Sequence, residues 1–287
     1  MYYSIPKVEY YRPKTLEEAI ELLLNIEGSK IVAGGTDLLV DIKTSRAKVR
    51  ALIDINSIAE LRGIVDAGEF IRIGAATKLQ EILESHTISE NLPLLRAAIE
   101  SMGSWQIRNL ATIGGNLCTA SPAADTAPPL LAYDAELTIA GRSGLRVVPV
   151  SKFFTGYRKT AIGYGEILKE IVVRKSNWTK WSYVKLGRRG GFTLSIVAVA
   201  VTAKISNSVV EDIRIALNSV APTPIRAYRA EEVLRGKKIE MKLVEEAARF
   251  VAGEVSPIDD IRSTSWYRRE MSHRLTLDTL SRALGVE

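Results

Sequence analysis

Apolar and polar positions near the start of the chain alternate between helical and strand-like spacing. Apolar residues recur every three or four positions between Thr15 and Gly28, which predicts an amphipathic helix. Glu18 follows Thr15 at the spacing of a capping box, which favours a helix start there. Short apolar runs at 30–35 and 50–55 then predict two buried strands. This order of helix and strands indicates a small α/β unit.

Similar patterns predict a second α/β unit further along the chain. Residues 70–83 begin as a strand and continue as a helix, with Thr77 as the N-cap and Gln80 as its capping-box partner. The spacing over 92–109 predicts one long helix. A short helix around Leu130 and a strand directly after it complete the unit.

The last third of the chain has a different pattern. Long runs of β-branched and alternating apolar residues predict a meander of antiparallel strands, at 181–187, 194–205 and 209–225. Two helical patterns close the chain, one at 229–255 with a break at Gly236, and one at 264–285. This part is therefore expected to be a sheet covered by helices.

Composition limits the class of protein. Of the 287 residues, 46% are apolar and 25% are charged, which is typical of a soluble globular protein. No run of about 18 apolar residues is present, so no membrane span is expected. The first residues, MYYSIPKVEYYRPK, lack the continuous apolar segment of a signal peptide. Together with a single cysteine, which cannot form a disulfide within the chain, this predicts a cytoplasmic protein.

Few residues are available to bind metal. The chain has one cysteine, Cys118, and two histidines, His86 and His273. An iron–sulfur cluster normally needs four protein ligands, mostly cysteines, and a structural zinc site needs a similar set, so neither is expected here. Cys118 lies in a glycine-rich apolar segment, which favours a buried small hydrophobe over a nucleophile.

The basic charge does not indicate nucleic-acid binding. The net charge is +6, but the charges are spread along the sequence. The densest basic run, at 43–50, has no interleaved aromatic residues and is expected to be a solvated loop or an edge that faces a partner.

Two Gly-Gly pairs carry the candidate chemistry. Gly34-Gly35 and Gly114-Gly115 each follow an apolar, strand-like run and precede a small polar residue. Glycine permits positive φ, so successive N–H groups can converge on one anion, and two such loops would suit a pyrophosphate. The alternative is an ordinary tight turn at each pair. Neither pair lies in a Rossmann fingerprint or a P-loop.

Both Gly-Gly pairs lie in segments that resemble those of a known protein family. The segments AGGTDLL, at 33–39, and QIRNLATIGGNLCTASPAADTAPPLLAYDAEL, at 106–137, resemble the FAD-binding medium subunits of the molybdenum hydroxylases. That family includes carbon monoxide dehydrogenase, aldehyde-oxidising enzymes and xanthine dehydrogenase. The similarity extends over nearly the whole chain.

The resemblance implies an α+β protein with a fold like that of vanillyl-alcohol oxidase. Two α/β subdomains, at 1–55 and 56–175, would clasp FAD, and an α+β domain of antiparallel sheet and helices, at 176–287, would follow. It implies no catalytic residue and no metal ligand in this chain. The residues implied to bind FAD are Ile31, Val32, Ala33, Gly34, Gly35, Thr36, Asp37, Leu38, Thr77, Thr112, Gly114, Gly115, Asn116, Ser121, Asp125, Leu168 and Lys185.

Several of these implied roles have a plain structural alternative. Asp125 would accept hydrogen bonds from the cofactor, or would cap a helix. Thr77 would face the flavin, or would only cap its helix. Lys185 would lie near the polar edge of the flavin, or would be a surface lysine on a strand. The family often has Arg-x-Gly-Asp-aromatic after this strand, whereas this chain has RRGGFTLS, which leaves open whether Phe192 shields the flavin.

The implied function is electron transfer within a complex. A molybdopterin-binding large subunit would oxidise a substrate, expected to be an aldehyde, and a small subunit with two [2Fe–2S] clusters would pass electrons to FAD in this chain. A dimer of such heterotrimers is one assembly that the resemblance allows. The alternative is a free-standing flavin-dependent oxidase or reductase of the same fold.

Overall fold

Three main sheets, each with its own helices, follow one another along the chain. The computed structural model of the protein describes residues 5–286, so the first four residues of the segment predicted to lack a signal peptide lie outside it. The first sheet is parallel, with strand order β1-β3-β2. Its strands are β1 (Glu9–Tyr11), β2 (Ser29–Val32) and β3 (Ala51–Asp54), and its helices are α1 (Leu16–Asn25) and α2 (Leu38–Lys43).

The start of α1 agrees with the predicted cap. Thr15 Oγ1 accepts a hydrogen bond from the Glu18 N–H at 3.2 Å. The Glu18 carboxylate accepts from the Lys14 N–H at 2.7 Å rather than from Thr15, so the capping box is closed one residue earlier than its usual form. The helix buries Leu16, with other apolar side chains, against β3.

The second sheet is antiparallel and has the strand order β4-β5-β10-β6-β7. Its strands are β4 (Ile64–Ala67), β5 (Phe70–Gly74), β6 (Glu136–Gly141), β7 (Gly144–Pro149) and β10 (Ile167–Arg174), with a hairpin of β8 (Phe154–Gly156) and β9 (Lys159–Thr160). Its helices are α3 (Leu79–Glu84), α4 (His86–Asn91), α5 (Pro93–Glu100), α6 (Trp105–Leu110), α7 (Ile113–Thr119), α8 (Ala127–Ala132) and α9 (Val150–Phe153). The helices and one face of the sheet enclose the largest apolar core of the described chain.

Two predictions in this unit were wrong. The single helix expected over 92–109 is two helices, because the chain turns at 101–104, where Gly103 has φ +51°. Thr77 does not cap α3: Lys78 occupies the N-cap, and Thr77 Oγ1 is bonded to the N–H and the C=O of Gly63 at 2.9 and 3.1 Å. The Thr77 hydroxyl, which the local pattern predicts to cap the helix, instead forms hydrogen bonds with Gly63, a residue distant in sequence.

The C-terminal part is an antiparallel sheet with helices packed on it. Its strands, in the order β11-β12-β13-β14, are β11 (Lys180–Gly187), β12 (Ser195–Ser206), β13 (Val209–Asn218) and β14 (Ile225–Arg226). Its helices are α10 (Tyr228–Leu234), α11 (Met241–Glu254) and α12 (Ser265–Leu284). This confirms the predicted meander and closing helices. Each main sheet lies within one predicted domain range, although the domain limits themselves stay a prediction.

Candidate functional site

A long cleft of about 940 Å³ runs between the first and second units and reaches the connection between β11 and β12. This volume is in the upper part of the range for small-molecule and cofactor sites. Most of the residues implied by the resemblance line it, namely Ile31, Val32, Ala33, Gly34, Gly35, Thr36, Asp37, Leu38, Thr112, Gly114, Gly115, Asn116 and Leu168. The fold therefore brings the two Gly-Gly segments to one cavity.

The first Gly-Gly segment forms a sharp loop, residues 34–38, which we call the nest. Gly35 has φ +69°, so the chain turns sharply between β2 and α2. Within residues 5–286, none of the backbone N–H groups of 34–38 donates a hydrogen bond. Because these unpaired donors line the cleft, they suit an anionic group placed there.

Gly34 also permits a close approach between the first two units. A Cβ at this position would lie 2.3 Å from the Leu110 carbonyl oxygen and 2.8 Å from Ala111 Cα. Both atoms are backbone atoms of the second unit and cannot move aside easily. Glycine is therefore required at position 34 partly because the backbone of the second unit packs directly against it.

The prediction of a second loop nest at Gly114-Gly115 was wrong. These residues lie in the first turn of α7, whose N-cap is Thr112, and neither has a positive φ. The Gly114 N–H donates to the Ala75 carbonyl at 2.8 Å, and the Gly115 N–H donates to Thr112 Oγ1 at 3.0 Å. A Cβ on Gly114 would lie 2.6 Å from the Ala75 carbonyl oxygen, so this glycine serves close packing.

Asn116 still presents a donor to the cleft. Its Oδ1 accepts a hydrogen bond from Thr126 Oγ1 at 2.6 Å, which leaves Nδ2 as the free end of the amide. Within the part of the chain that the structure describes, Nδ2 forms no hydrogen bond. The second segment can therefore contribute a side-chain donor in place of the backbone donors first expected.

Four implied residues are not part of the cleft wall: Thr77, Ser121, Asp125 and Lys185. Thr77 is fully buried and bonded to Gly63, so its prediction as a flavin contact is corrected. Ser121 Oγ accepts from the Ala123 N–H at 3.2 Å and forms a local turn. Asp125 and Lys185 are bonded to each other.

The pair of Asp125 and Lys185 lies between the second unit and the C-terminal sheet. Lys185 Nζ is 2.6 Å from Asp125 Oδ2, and each side chain is only 6% exposed. Lys185 is therefore not the surface lysine that the alternative described, and Asp125 caps no helix. Burial raises the pKa of Asp125, and the neighbouring ammonium group opposes that rise. Lys185 Nζ also donates to the Ser101 carbonyl at 3.2 Å, next to Met102, which lines the cleft.

The cleft is also lined by residues outside the set that the resemblance implies to bind FAD. Arg158 and Asp41 form an ion pair at 2.6 Å that joins the second unit to the first, and no local pattern links residues so far apart. Phe192, for which the motif departed from the family, lines the cleft at 53% exposure with φ +49°.

Cys118 is exposed to the cleft, so the expectation of a buried side chain was wrong. The surrounding protein wall nevertheless limits solvation of a thiolate and raises the pKa of the thiol to about 12.

Comparison with known proteins decides the family. The model for the FAD binding domain in molybdopterin dehydrogenase matches residues 6–174, and the model for the CO dehydrogenase flavoprotein C-terminal domain matches 181–283. The chain belongs to this family of FAD-binding flavoproteins. The resemblance seen in the sequence is thereby confirmed, and the protein is a subunit of the oxidoreductase type.

Several relatives in the family match over almost their full length. The chain is 33% identical to the xanthine dehydrogenase FAD-binding subunit of Escherichia coli O157:H7, over 96% of each chain. It is also 33% identical to the glyceraldehyde dehydrogenase medium chain of Sulfolobus acidocaldarius, over 95% of this chain and 96% of that one. A solved structure of carbon monoxide dehydrogenase from Hydrogenophaga pseudoflava superposes with a TM-score of 0.95 at 35% identity, over 98% of this chain and 99% of that one. The predicted fold class is confirmed.

The residues present fit the family's cofactor, FAD. The nest at 34–38 supplies unpaired N–H groups for a diphosphate, which carries negative charge and only acceptors at its oxygens. Apolar residues that line the same cleft, including Leu168 and Ile107, suit the two ring systems of FAD that flank the diphosphate. No helix among residues 5–286 has the length and apolar character to cross a membrane.

Proposed function

We propose that this flavoprotein is the electron-transfer subunit of a heteromeric molybdenum hydroxylase. The observation that carries the proposal is the cleft between the first two units, with the unpaired N–H groups of the nest on its wall. FAD bound there would supply two-electron storage together with one-electron exchange. The chain's own residues bind and orient the cofactor and limit its contact with water.

The other centres would lie in partner chains. A single cysteine cannot ligate a [2Fe–2S] cluster, so clusters that deliver electrons to FAD would belong to an iron–sulfur small subunit. A molybdopterin-binding large subunit would oxidise the substrate. The similarity to the medium chain of a glyceraldehyde dehydrogenase supports an aldehyde as that substrate. We place the complex in the cytoplasm and take a dimer of heterotrimers as its assembly.

The cofactor contacts complete the proposal. The nest at 34–38 would bind the diphosphate, Asn116 would donate from α7, and Leu168 would pack against the ring system. Asp125 and Lys185 would influence the flavin in one of two ways. They would act through the Ser101 carbonyl, to which Lys185 Nζ donates a hydrogen bond, or their side chains would rearrange and contact the flavin directly.

Native mass spectrometry with metal and flavin analysis tests this function. The expected result is a complex of this chain with two other polypeptides, containing FAD, iron and molybdenum, in which an aldehyde bleaches the flavin absorbance. Aldehyde, CO and purine substrates should be compared on the same sample. This chain isolated alone with FAD, and reduced by a substrate without any partner, would contradict the proposal and favour a free-standing flavin enzyme.

A further inference from the structure

The side chain of Asn56 contacts Ala33, the residue immediately before the nest, and does not itself line the cleft. Asn56 Nδ2 donates to the Ala33 carbonyl at 2.7 Å and to Asp54 Oδ1 at 2.7 Å. Asn56 Oδ1 accepts from Lys78 Nζ, also at 2.7 Å. Every hydrogen-bonding atom of this amide therefore has a partner, and one of those partners is the carbonyl that immediately precedes the nest.

The chemistry of these partners fixes the amide in one orientation. A lysine ammonium can only donate, and a backbone carbonyl can only accept. A flipped Asn56 would set Nδ2 against the Lys78 ammonium and Oδ1 against the Ala33 carbonyl, so both contacts would become repulsive. Asp54 holds the same residue through its own N–H, at 2.9 Å. Burial opposes ionisation of Asp54, but hydrogen bonds from Tyr10 and Asn56 outweigh burial and lower its pKa, so it remains an acceptor.

The fixed amide determines where the first N–H of the nest points. Ala33 and Gly34 share a trans peptide, in which the C=O and the N–H point in opposite directions. Because the Ala33 carbonyl is held against Asn56, the Gly34 N–H is directed away from Asn56. That N–H is unpaired within residues 5–286, and Gly34 lines the cleft.

The same network also holds the wall opposite Gly34. Lys78 Nζ donates to the Leu110 carbonyl at 3.1 Å, and this is the carbonyl against which Gly34 packs. Desolvation lowers the pKa of Lys78, the cost of placing a cation between the two units. Asn56 and Lys78 thus tie the nest and the second unit into one arrangement.

We propose that Asn56 is a positioning residue for the diphosphate of the cofactor. It does not line the cleft, and it acts by orienting the Ala33–Gly34 peptide so that the Gly34 N–H is available to the phosphate oxygens. This inference rests on the proposed binding of FAD at the nest. It explains why a half-buried asparagine stands between an aspartate and a lysine at this place.

Two substitutions and a matched control test the proposal. Asn56→Ala removes the donor to Ala33. Asn56→Asp keeps the volume and the contact with Lys78 but sets an anionic acceptor against the Ala33 carbonyl. Asn91→Ala removes a comparable bond, from Asn91 Nδ2 to the Thr87 carbonyl at 2.9 Å, on a helix that does not line the cleft.

Two measurements are made on each folded protein: the FAD dissociation constant, and the ³¹P NMR spectrum of bound FAD. Asn56→Ala is expected to weaken FAD binding about three- to tenfold, as loss of one such hydrogen bond implies. Asn56→Asp should weaken it further, and Asn91→Ala should not change it. The two ³¹P resonances should move toward those of free FAD only in the Asn56 variants, which a general loss of stability would not cause.

The outcomes separate this inference from the proposed site. If wild-type protein binds FAD with shifted ³¹P resonances and both Asn56 variants match it in affinity and spectrum, the positioning role of Asn56 is refuted while the nest survives. If the wild-type resonances are not shifted on binding, the nest itself is refuted. Should Asn56→Ala fail to fold, the volume-matched Asn56→Asp decides.

Discussion

Substitution of Gly34 by alanine should disrupt both the contact between the first two units and cofactor binding. The added Cβ would lie 2.3 Å from the Leu110 carbonyl oxygen, whereas an ordinary C···O contact is about 3.3 Å. The loop and the second unit would have to separate by roughly 1 Å to relieve this clash. Overpacking of this kind costs about 1–3 kcal/mol.

That strain should reduce FAD affinity as well as stability. FAD binding is expected to require the close packing of the loop at Gly34 against the second unit. A cost of about 1–3 kcal/mol for forming that packing then corresponds to an FAD dissociation constant about 5- to 150-fold higher. Urea unfolding of the apoprotein and flavin fluorescence titration measure the two effects separately. The atoms that face the added Cβ are backbone atoms of Leu110 and Ala111, which cannot rotate away. We therefore expect both the free energy of unfolding and the FAD affinity to decrease.

The matched control is Gly253→Ala, the same chemical change within α11. Nothing lies within 4 Å of its added Cβ, and its φ is not positive. It should raise stability slightly, by about 0.4–1 kcal/mol, and leave FAD binding unchanged. A Gly34→Ala protein with wild-type stability and FAD affinity would refute the reasoning about the close approach.

Three further predictions follow from individual side chains. Lys185→Met leaves the Asp125 carboxylate without its cation and should lower the free energy of unfolding by about 3–5 kcal/mol at pH 8. Because protonation of Asp125 relieves the unpaired charge, urea titrations should show a smaller loss of stability at pH 5. An equal loss at the two pH values would contradict this explanation. Cys118 should react slowly with iodoacetamide at pH 8, since the protein wall around this exposed thiol limits solvation of the thiolate and raises the thiol pKa to about 12. FAD in the cleft should slow the reaction further, and fast alkylation in the presence of FAD would show that the thiol lies elsewhere. Burial opposes ionisation of Asp260, but hydrogen bonds from Arg262 and the charge of Arg268 outweigh it and hold the pKa of Asp260 well below its usual value. A lowered carboxyl pKa stabilises the folded state above the ordinary pKa and ceases to do so as pH falls through the folded value, so the difference in melting temperature between wild type and Asp260→Asn should be full at pH 6 and shrink below pH 4. A difference independent of pH would count against ionisation as its cause.

The elements of this fold were predictable where local pattern and tertiary contact agree. The helix after Thr15 and the long strands of the C-terminal sheet have a regular apolar spacing, and the structure follows it. The single helix expected over 92–109 failed because a positive-φ turn at Gly103 divides it. Spacing alone does not distinguish a tolerated helix glycine from a turn.

The site was predictable in its location but not in its mechanism. The sharp turn at Gly35 agrees with the sequence pattern, because a Gly-Gly pair after a strand favours positive φ and leaves N–H groups unpaired; that this turn binds an anion stays a prediction. Gly114 suggested the same chemistry, yet its N–H is used by Ala75, a partner that only the folded chain supplies. The predictions for Thr77 failed for a similar reason, since its hydroxyl is hydrogen-bonded to Gly63.

Contacts between distant residues lay beyond the reach of sequence reasoning. Asp125 and Lys185 are separated by 60 positions, and each was assigned a separate role before the structure paired them. Asn56 was not singled out at all, since an asparagine after a strand is ordinary in a turn. Its role depends on Ala33 and Lys78, and only the packing of the two units brings these together.

A high-resolution structure of the protein with FAD tests the central claim most directly, through the distances between the diphosphate oxygens and the backbone nitrogens of residues 34–38. We predict several N···O distances of about 2.7–3.2 Å, the range of N–H···O hydrogen bonds, with the Gly34 N–H among the donors. A diphosphate bound outside this loop, or held only by side chains while these N–H groups face solvent, would contradict the account.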